Sequence, residues 1–245
     1  MKTKPKQSGL TLTEVLTTIV IIVILTVVAL PAINAFFDSM SSSGSAEAMI
    51  SAALSNARAM AISRQRYVGV RFQKIYETRG PLFADQYMIF IVNDTTIGAY
   101  AFCAINGMKP VKLQGNIGAI DLYLGSVSDQ QISNGISDPN LFNDASTFSI
   151  VFSPSGHLVI HKQRAVRKSA NDDVFNFEAA VSSPTNPVGM FVVDGANELS
   201  RRSCIIYDTK EFRRAYEQEI PYSGYLQSVA PVYINPYTGT LISSN

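Results

Sequence analysis

The stretch KQSGLTLTEVL, residues 6–16, places a glutamate near the start of an apolar run that continues past Ile33. Between Leu10 and Phe37 the only ionisable side chain is Glu14. A carboxylate at membrane depth costs roughly 2.5 to 3.5 kcal/mol on insertion scales, so something must compensate it. The run is longer than the roughly 20 residues that cross a bilayer as a helix. Lys2, Lys4 and Lys6 precede it, and Asp38 with a serine cluster follows it. By the positive-inside rule the N-terminus stays cytoplasmic and the body of the chain lies across the membrane, which in a bacterium is the periplasm or beyond.

Three readings compete for this N-terminus. A secretory signal needs a small-residue cleavage site after its apolar core, and Ala32 to Ala35 offers a weak one. A plain bitopic anchor accounts for the lysines and the length and leaves Glu14 unexplained. The third reading uses every residue. Lys-Gln-Ser-Gly-Leu-Thr-Leu-Thr-Glu-Val-Leu resembles the leader junction of type IV prepilins and type II secretion pseudopilins. In that family a membrane aspartyl peptidase cuts after the glycine and the new terminus is N-methylated. The resemblance implies cleavage between Gly9 and Leu10, methylation of Leu10, and a kink at Pro31. Leu10 departs from the phenylalanine usual there and keeps an apolar residue; Glu14 and Pro31 fall on the family's glutamate and proline positions. Cleavage creates an α-ammonium on Leu10, about one helical turn, roughly 6 Å, from Glu14. In a fibre, the resemblance implies, Glu14 of one subunit meets the Leu10 amine of its neighbour. Pairing offsets much of the desolvation that either charge would bear alone.

After Ser-rich 39–45, Ala46, Met49, Ile50, Ala53, Leu54, Ala57 and Met60 recur at helical spacing and form one apolar stripe. The geometry is either one long helix from Leu10 to about Ser63 with a soft Ser/Gly joint, or two helices. The run LSNARAMAI (54–62) followed by YVGVRF (67–72), with IVFSPSGHL (150–158) further on, resembles the head of GspH/FimT-type minor pilins and pseudopilins. The rest reads as β. Short runs rich in Val, Ile, Phe and Tyr, at Gln86–Val92, Ile97–Phe102, Ile120–Leu124, Thr147–Phe152, Leu158–His161, Met190–Val193, Cys204–Tyr207 and Val229–Ile234, are bounded by turn residues. Residues 125–146 and Ser183 to Pro187 read as loops, and Lys210 to Glu219 as a short helix. The expected fold is α+β: a long N-terminal helix packed on an antiparallel sheet. The expected organisation is a leader (1–9), a transmembrane and assembly helix (10–37), its amphipathic outer half (38–66) and a periplasmic head (67–245).

Net charge is +1 and turns mildly acidic once the three leader lysines are set aside, so no global field points to nucleic acid. The group Lys162, Arg164, Arg167 and Lys168 is a local exception that can neutralise phosphates, and Arg201, Arg202, Arg213 and Arg214 could extend it; the simpler reading is a solvated hairpin tip. His157 and His161, the two histidines, have metal-like spacing on a helix; on a strand they stand about 13 Å apart, too far to share an ion. Asp172, Asp173 and Glu178 could collect calcium and read as a solvated acidic turn. No nucleophile elbow or phosphate loop is present. Cys103 and Cys204 are either a disulfide, allowed in an oxidising compartment, or two separate buried thiols.

The chain is therefore expected to be a non-enzymatic minor pilin or pseudopilin without cofactor, anchored in the inner membrane. Its partners would be prepilin peptidase/methylase and other pilin subunits. The alternatives are a minor pilin that binds DNA for uptake, and a bitopic membrane protein with a periplasmic β head and no fibre.

Overall fold

A computed structural model describes residues 16, 17, 19, 21, 44–75, 77, 79–80, 82–114, 116–121, 145–169, 172, 174–175, 191, 197–221 and 223–243. The chain divides into two compact units, Met1–Ser41 and Ser42–Asn245.

In the second unit, helix α1 (Gly44–Arg64) buries Ala46, Ile50, Ala53, Leu54, Ala57 and Ala61. Met49 and Met60 pack at the margin of that stripe. The small buried side chains let the helix axis approach the strands closely. The twelve described strands are β1 (Val68–Lys74), β2 (Gln86–Asn93), β3 (Ala101–Ala104), β4 (Val111–Lys112), β5 (Ile117–Asp121), β6 (Phe148–Phe152), β7 (Leu158–Val159), β8 (Lys162–Ala165), β9 (Glu198–Leu199), β10 (Ser203–Asp208), β11 (Val232–Ile234) and β12 (Leu241–Ser243). Helix α2 (Thr209–Glu217) follows β10. Its N-cap, Asp208, accepts the backbone N–H groups of Lys210 and Glu211.

One sheet runs β7-β6-β1-β2-β3-β8-β9, with β4 also on β2, and a second runs β12-β11-β10-β5. Central strand β1 pairs antiparallel with β2 (Val70↔Phe90) and with β6 (Val70↔Ile150). Gly69 lies where a side chain would overlap the Ile150 carbonyl oxygen. The main core joins α1 to both sheets: Val68, Val70, Phe72, Phe148 and Phe152 from the first, Ala119, Cys204, Ile206 and Val232 from the second. On the reverse face of the first sheet, Ile89, Ile91, Phe102 and Val151 are covered by Val174, Phe175 and Phe191. Both faces are therefore buried, which is why every residue of β1 is inaccessible.

The α+β architecture is as expected, with three corrections. The first sheet is not wholly antiparallel, since β3 and β8 run parallel. The Leu158–His161 run is not one strand: pairing with β6 stops at Val159, and the chain resumes at Lys162 on the far side of the sheet, beside β3. The basic group that begins there is consequently not a hairpin tip. The strand expected at Ile97–Phe102 starts later, because residues 94–98 form a turn in which the Asp94 carbonyl accepts the N–H groups of Ile97 and Gly98.

Candidate functional site

Within the first unit, Leu16, Thr17, Ile19 and Ile21 have helical backbone. Leu16, Ile19 and Ile21 are 64%, 55% and 52% exposed. Large aliphatic side chains standing open on a helix lose favourable burial in water, so lipid or neighbouring helices are their natural surroundings. Gly9, Leu10, Glu14 and Pro31 lie outside the described residues, as does most of the apolar run. Among the described residues no helix is long and apolar enough to cross a membrane.

In the second unit, two sequence fragments noted for their resemblance to GspH/FimT-type heads meet directly. Arg58 of α1 donates its Nε–H to the Gly156 carbonyl at 2.9 Å. Gly156 has φ +79°, and a Cβ there would stand 2.6 Å from Ile62 Cδ1. The turn thus requires glycine for its backbone conformation and for its approach to the helix. Ser153 closes the turn, its carbonyl accepting the Gly156 N–H at 2.8 Å.

The four basic residues from Lys162 to Lys168 are arranged differently from a free cationic surface. Lys162 is exposed, with its ammonium 5.2 Å from the centre of the Tyr100 ring. Arg164 is half-buried, and Arg167 turns back to donate to the Ser169 carbonyl at 2.9 Å. Of the arginines that could extend the group, Arg201 pairs with Asp121 at 2.5 Å and Arg214 with Glu211 at 2.9 Å. Arg213 lies 4.6 Å over the Phe83 ring. Arg201 and Arg214 are therefore each paired with a carboxylate rather than left as free cations.

Cys103 on β3 and Cys204 on β10 are free, buried thiols on different sheets, so the bridge considered as one alternative is not formed. Burial pushes the Cys103 thiol up to about 11 and the Cys204 thiol to about 12, which keeps both protonated and unreactive. His157 and His161 serve different neighbourhoods. His157 Nδ1 lies 2.9 Å from Ser155 Oγ, and its ring meets Tyr237 edge-on. His161 sits among Tyr67, Tyr100 and Phe102. Asp172 Oδ1 accepts the N–H groups of Val174 and Phe175, and Oδ2 that of Lys168. Its carboxylate holds the turn; Asp173 and Glu178 are outside the described residues. Among the described residues no cluster of His, Cys, Asp and Glu could hold a metal.

Two polar features escape a sequence reading. Arg71, 1% exposed on β1, ion-pairs with Glu198 of β9 and donates Nε–H to Gln73 at 2.9 Å. Gln163, fully buried on β8, donates to Ser149 at 2.8 Å and to Glu198. The second feature is Lys74, at the end of β1, which donates to the Ala84 carbonyl at 3.1 Å beside Arg213 of α2. The only sequence signal for either is a charge inside a strand whose neighbours are otherwise apolar.

A family model described as the prokaryotic N-terminal methylation motif matches residues 4–30. The chain carries the N-terminal motif of the type IV pilin and pseudopilin superfamily. No curated protein and no solved structure matches the chain. A prepilin-type motif marks a type IV pilin-like precursor, processed by prepilin peptidase and assembled with other pilins. Leu16, Ile19 and Ile21 all fall inside the matched segment. The motif ends before α1 begins, so it characterises the N-terminal segment and leaves the type of head to be argued separately.

Proposed function

We infer that this protein is a minor pilin or pseudopilin, a structural subunit whose N-terminal helix inserts into a type IV pilus or type II secretion pseudopilus. The observation that carries this reading is the match of the methylation motif to residues 4–30, with Glu14 inside it. Cleavage falls between Gly9 and Leu10 on the cytoplasmic side of the inner membrane, and the new Leu10 amine is methylated. The segment 10–37 then anchors the chain, with Pro31 relaxing the helix, and the head lies in the periplasm until assembly. Exposed Leu16, Ile19 and Ile21 support a helix that resides first in lipid and later among other helices. The contact of Arg58 with Gly156 supports a GspH/FimT-type head, because it joins the two fragments that suggested that type.

Glu14 sets the register by meeting the Leu10 amine of an adjoining subunit. Glu14→Gln and Glu14→Leu are expected to insert into the inner membrane normally and to be lost from fibres or cross-linked subunit pairs. Incorporation at the wild-type level in both variants would refute this role.

A further inference from the structure

Between the loop that joins β3 to β4 and the segment that follows β8 lies a groove of ≈ 560 Å³. Each wall carries an exposed lysine, Lys109 on the loop and Lys168 on the facing segment. Among the described residues neither ammonium has a hydrogen-bond or ion-pair partner, and Lys168 is tied down only through its backbone N–H. The Met108 N–H donates to the Ile105 carbonyl at 3.1 Å, closing a turn whose tip, Asn106 and Gly107, stands exposed on the same wall. No described residue accepts from the Asn106 amide or the Gly107 N–H, so both are hydrated donors that an occupant can take over.

The two lysines are not equivalent. Asp172 lines the groove, and its carboxylate accepts the N–H groups of Lys168, Val174 and Phe175, which fixes it on the Lys168 side. Asp94 is held below the usual carboxylate range, first by its hydrogen bond from Thr96 and further by Lys168 and Arg66. Lys168 thus shares its field with two carboxylates, whereas Lys109 is the cation left for an occupant to neutralise. Beside Lys109, half-buried Met108 and Pro110 form an apolar wall. A methionine in that position adapts its shape to whatever aliphatic group it meets.

We propose that this groove receives an extended acidic segment from the head of an adjoining subunit, with a carboxylate on Lys109 and an aliphatic side chain against Met108 and Pro110. In an extended chain every second side chain shares a face, so a carboxylate and an aliphatic group two residues apart meet these two features together. Charge decides against nucleic acid: Asp172 in the wall and Asp94 beside Lys168 repel a run of phosphates, and no aromatic ring lines the groove to stack a base. The groove is open along exposed Asn106, Gly107 and Ser169, which suits a chain that continues past it better than an enclosed small molecule. That the donor is an adjoining subunit rests on the fibre reading above; the acidic chemistry rests on the groove alone.

The test is fluorescence polarisation of a labelled, C-terminally amidated Asp-Ala-Leu-Ala-Asp peptide with the full-length protein in detergent at low salt. Saturable binding is expected, and the Asn-Ala-Leu-Ala-Asn counterpart should bind about tenfold more weakly, the value of one charge-assisted hydrogen bond. Lys109→Glu, at an exposed position that leaves the core untouched, should abolish binding of the acidic peptide and create binding of Lys-Ala-Leu-Ala-Lys. Absence of binding in the wild type, equal binding of the Asp and Asn peptides, or undiminished binding in Lys109→Glu would overturn the proposal. So would a single-stranded oligonucleotide that displaces the peptide at a lower concentration than the unlabelled peptide does. A native chain left uncut before Leu10 would remove the adjoining subunit as donor without altering these binding results, so the two readings fail separately.

Discussion

The ion pair between Arg71 and Glu198 links the centre of the first sheet to its last strand, and removing one partner has a calculable consequence. The Arg71 side chain is 2% exposed and that of Glu198 27%. Glu198→Leu strips the guanidinium of its counter-charge and leaves Gln163 without one of its acceptors. Two unit charges about 4 Å apart attract by about 4 kcal/mol at an effective dielectric of 20, and breaking a buried pair costs about 3–5 kcal/mol. Water reaching the quarter-exposed glutamate site reduces this, so about 2–4 kcal/mol of lost stability is expected. Arg71→Met costs a similar amount by leaving the partly buried Glu198 without its counter-charge, although Gln163 still donates to it. The double variant Arg71→Met/Glu198→Leu should recover most of the loss, because a pair replaced by apolar groups of similar volume is often neutral. Ser149 keeps its bond from Gln163 in that variant, although Gln73 loses the Arg71 donor. Urea unfolding of the four proteins, read by tyrosine fluorescence because the chain has no tryptophan, gives the coupling directly. A coupling of about 2 kcal/mol or more is expected. Additive single losses would show that the pair does not hold β9 in place.

Two further outcomes follow from the same core. Gly69→Ala should destabilise the fold by about 2–4 kcal/mol in the same assay, since its methyl meets backbone that cannot swing aside; a change below about 0.5 kcal/mol would contradict the close approach of β1 and β6. Lys74 is held near 8 when folded and near 10.5 when unfolded, so between those values the unfolded chain binds more protons and stability attributable to Lys74 rises with pH. The advantage of Lys74→Met over wild type should therefore shrink by up to about 3 kcal/mol across that window; a constant gap would contradict the burial of the amine.

The elements that were legible in sequence share one property: their own side chains carry the pattern. The α1 stripe from Ala46 to Met60 follows the helical repeat, and β2, β6 and β10 are Val-, Ile-, Phe- and Tyr-rich runs with turn residues at their ends. The short strands β8 and β9 were not legible. Their inward residues are Gln163, Ala165 and Glu198, which give no apolar alternation. What holds them is an ion pair to a residue 127 positions away, and single-chain periodicity does not register such pairs. The parallel pairing of β3 with β8 is hidden for the same reason. Lys162, Arg164, Arg167 and Lys168 resemble a basic tip in sequence, whereas their backbone forms a sheet strand and the segment that leaves it. Val174 and Phe175 stand in the polar run NDDVFN (171–176) and carry no strand pattern, and Phe191 falls in the run expected as a strand at Met190–Val193; that all three cover the second face of the first sheet is visible only in the fold. The N-terminal motif was legible because its chemistry is local: basic residues, a glycine, and a carboxylate one turn beyond it.

The central claim is that a new amino terminus is made at Leu10 and that Glu14 exists to meet such a terminus on a neighbour. Mass spectrometry of the protein isolated from its native membrane tests it most directly. The account predicts a chain that begins at Leu10 with a methyl group on its α-nitrogen; a chain that keeps Met1 to Gly9, in cells where other prepilins are processed, would contradict it.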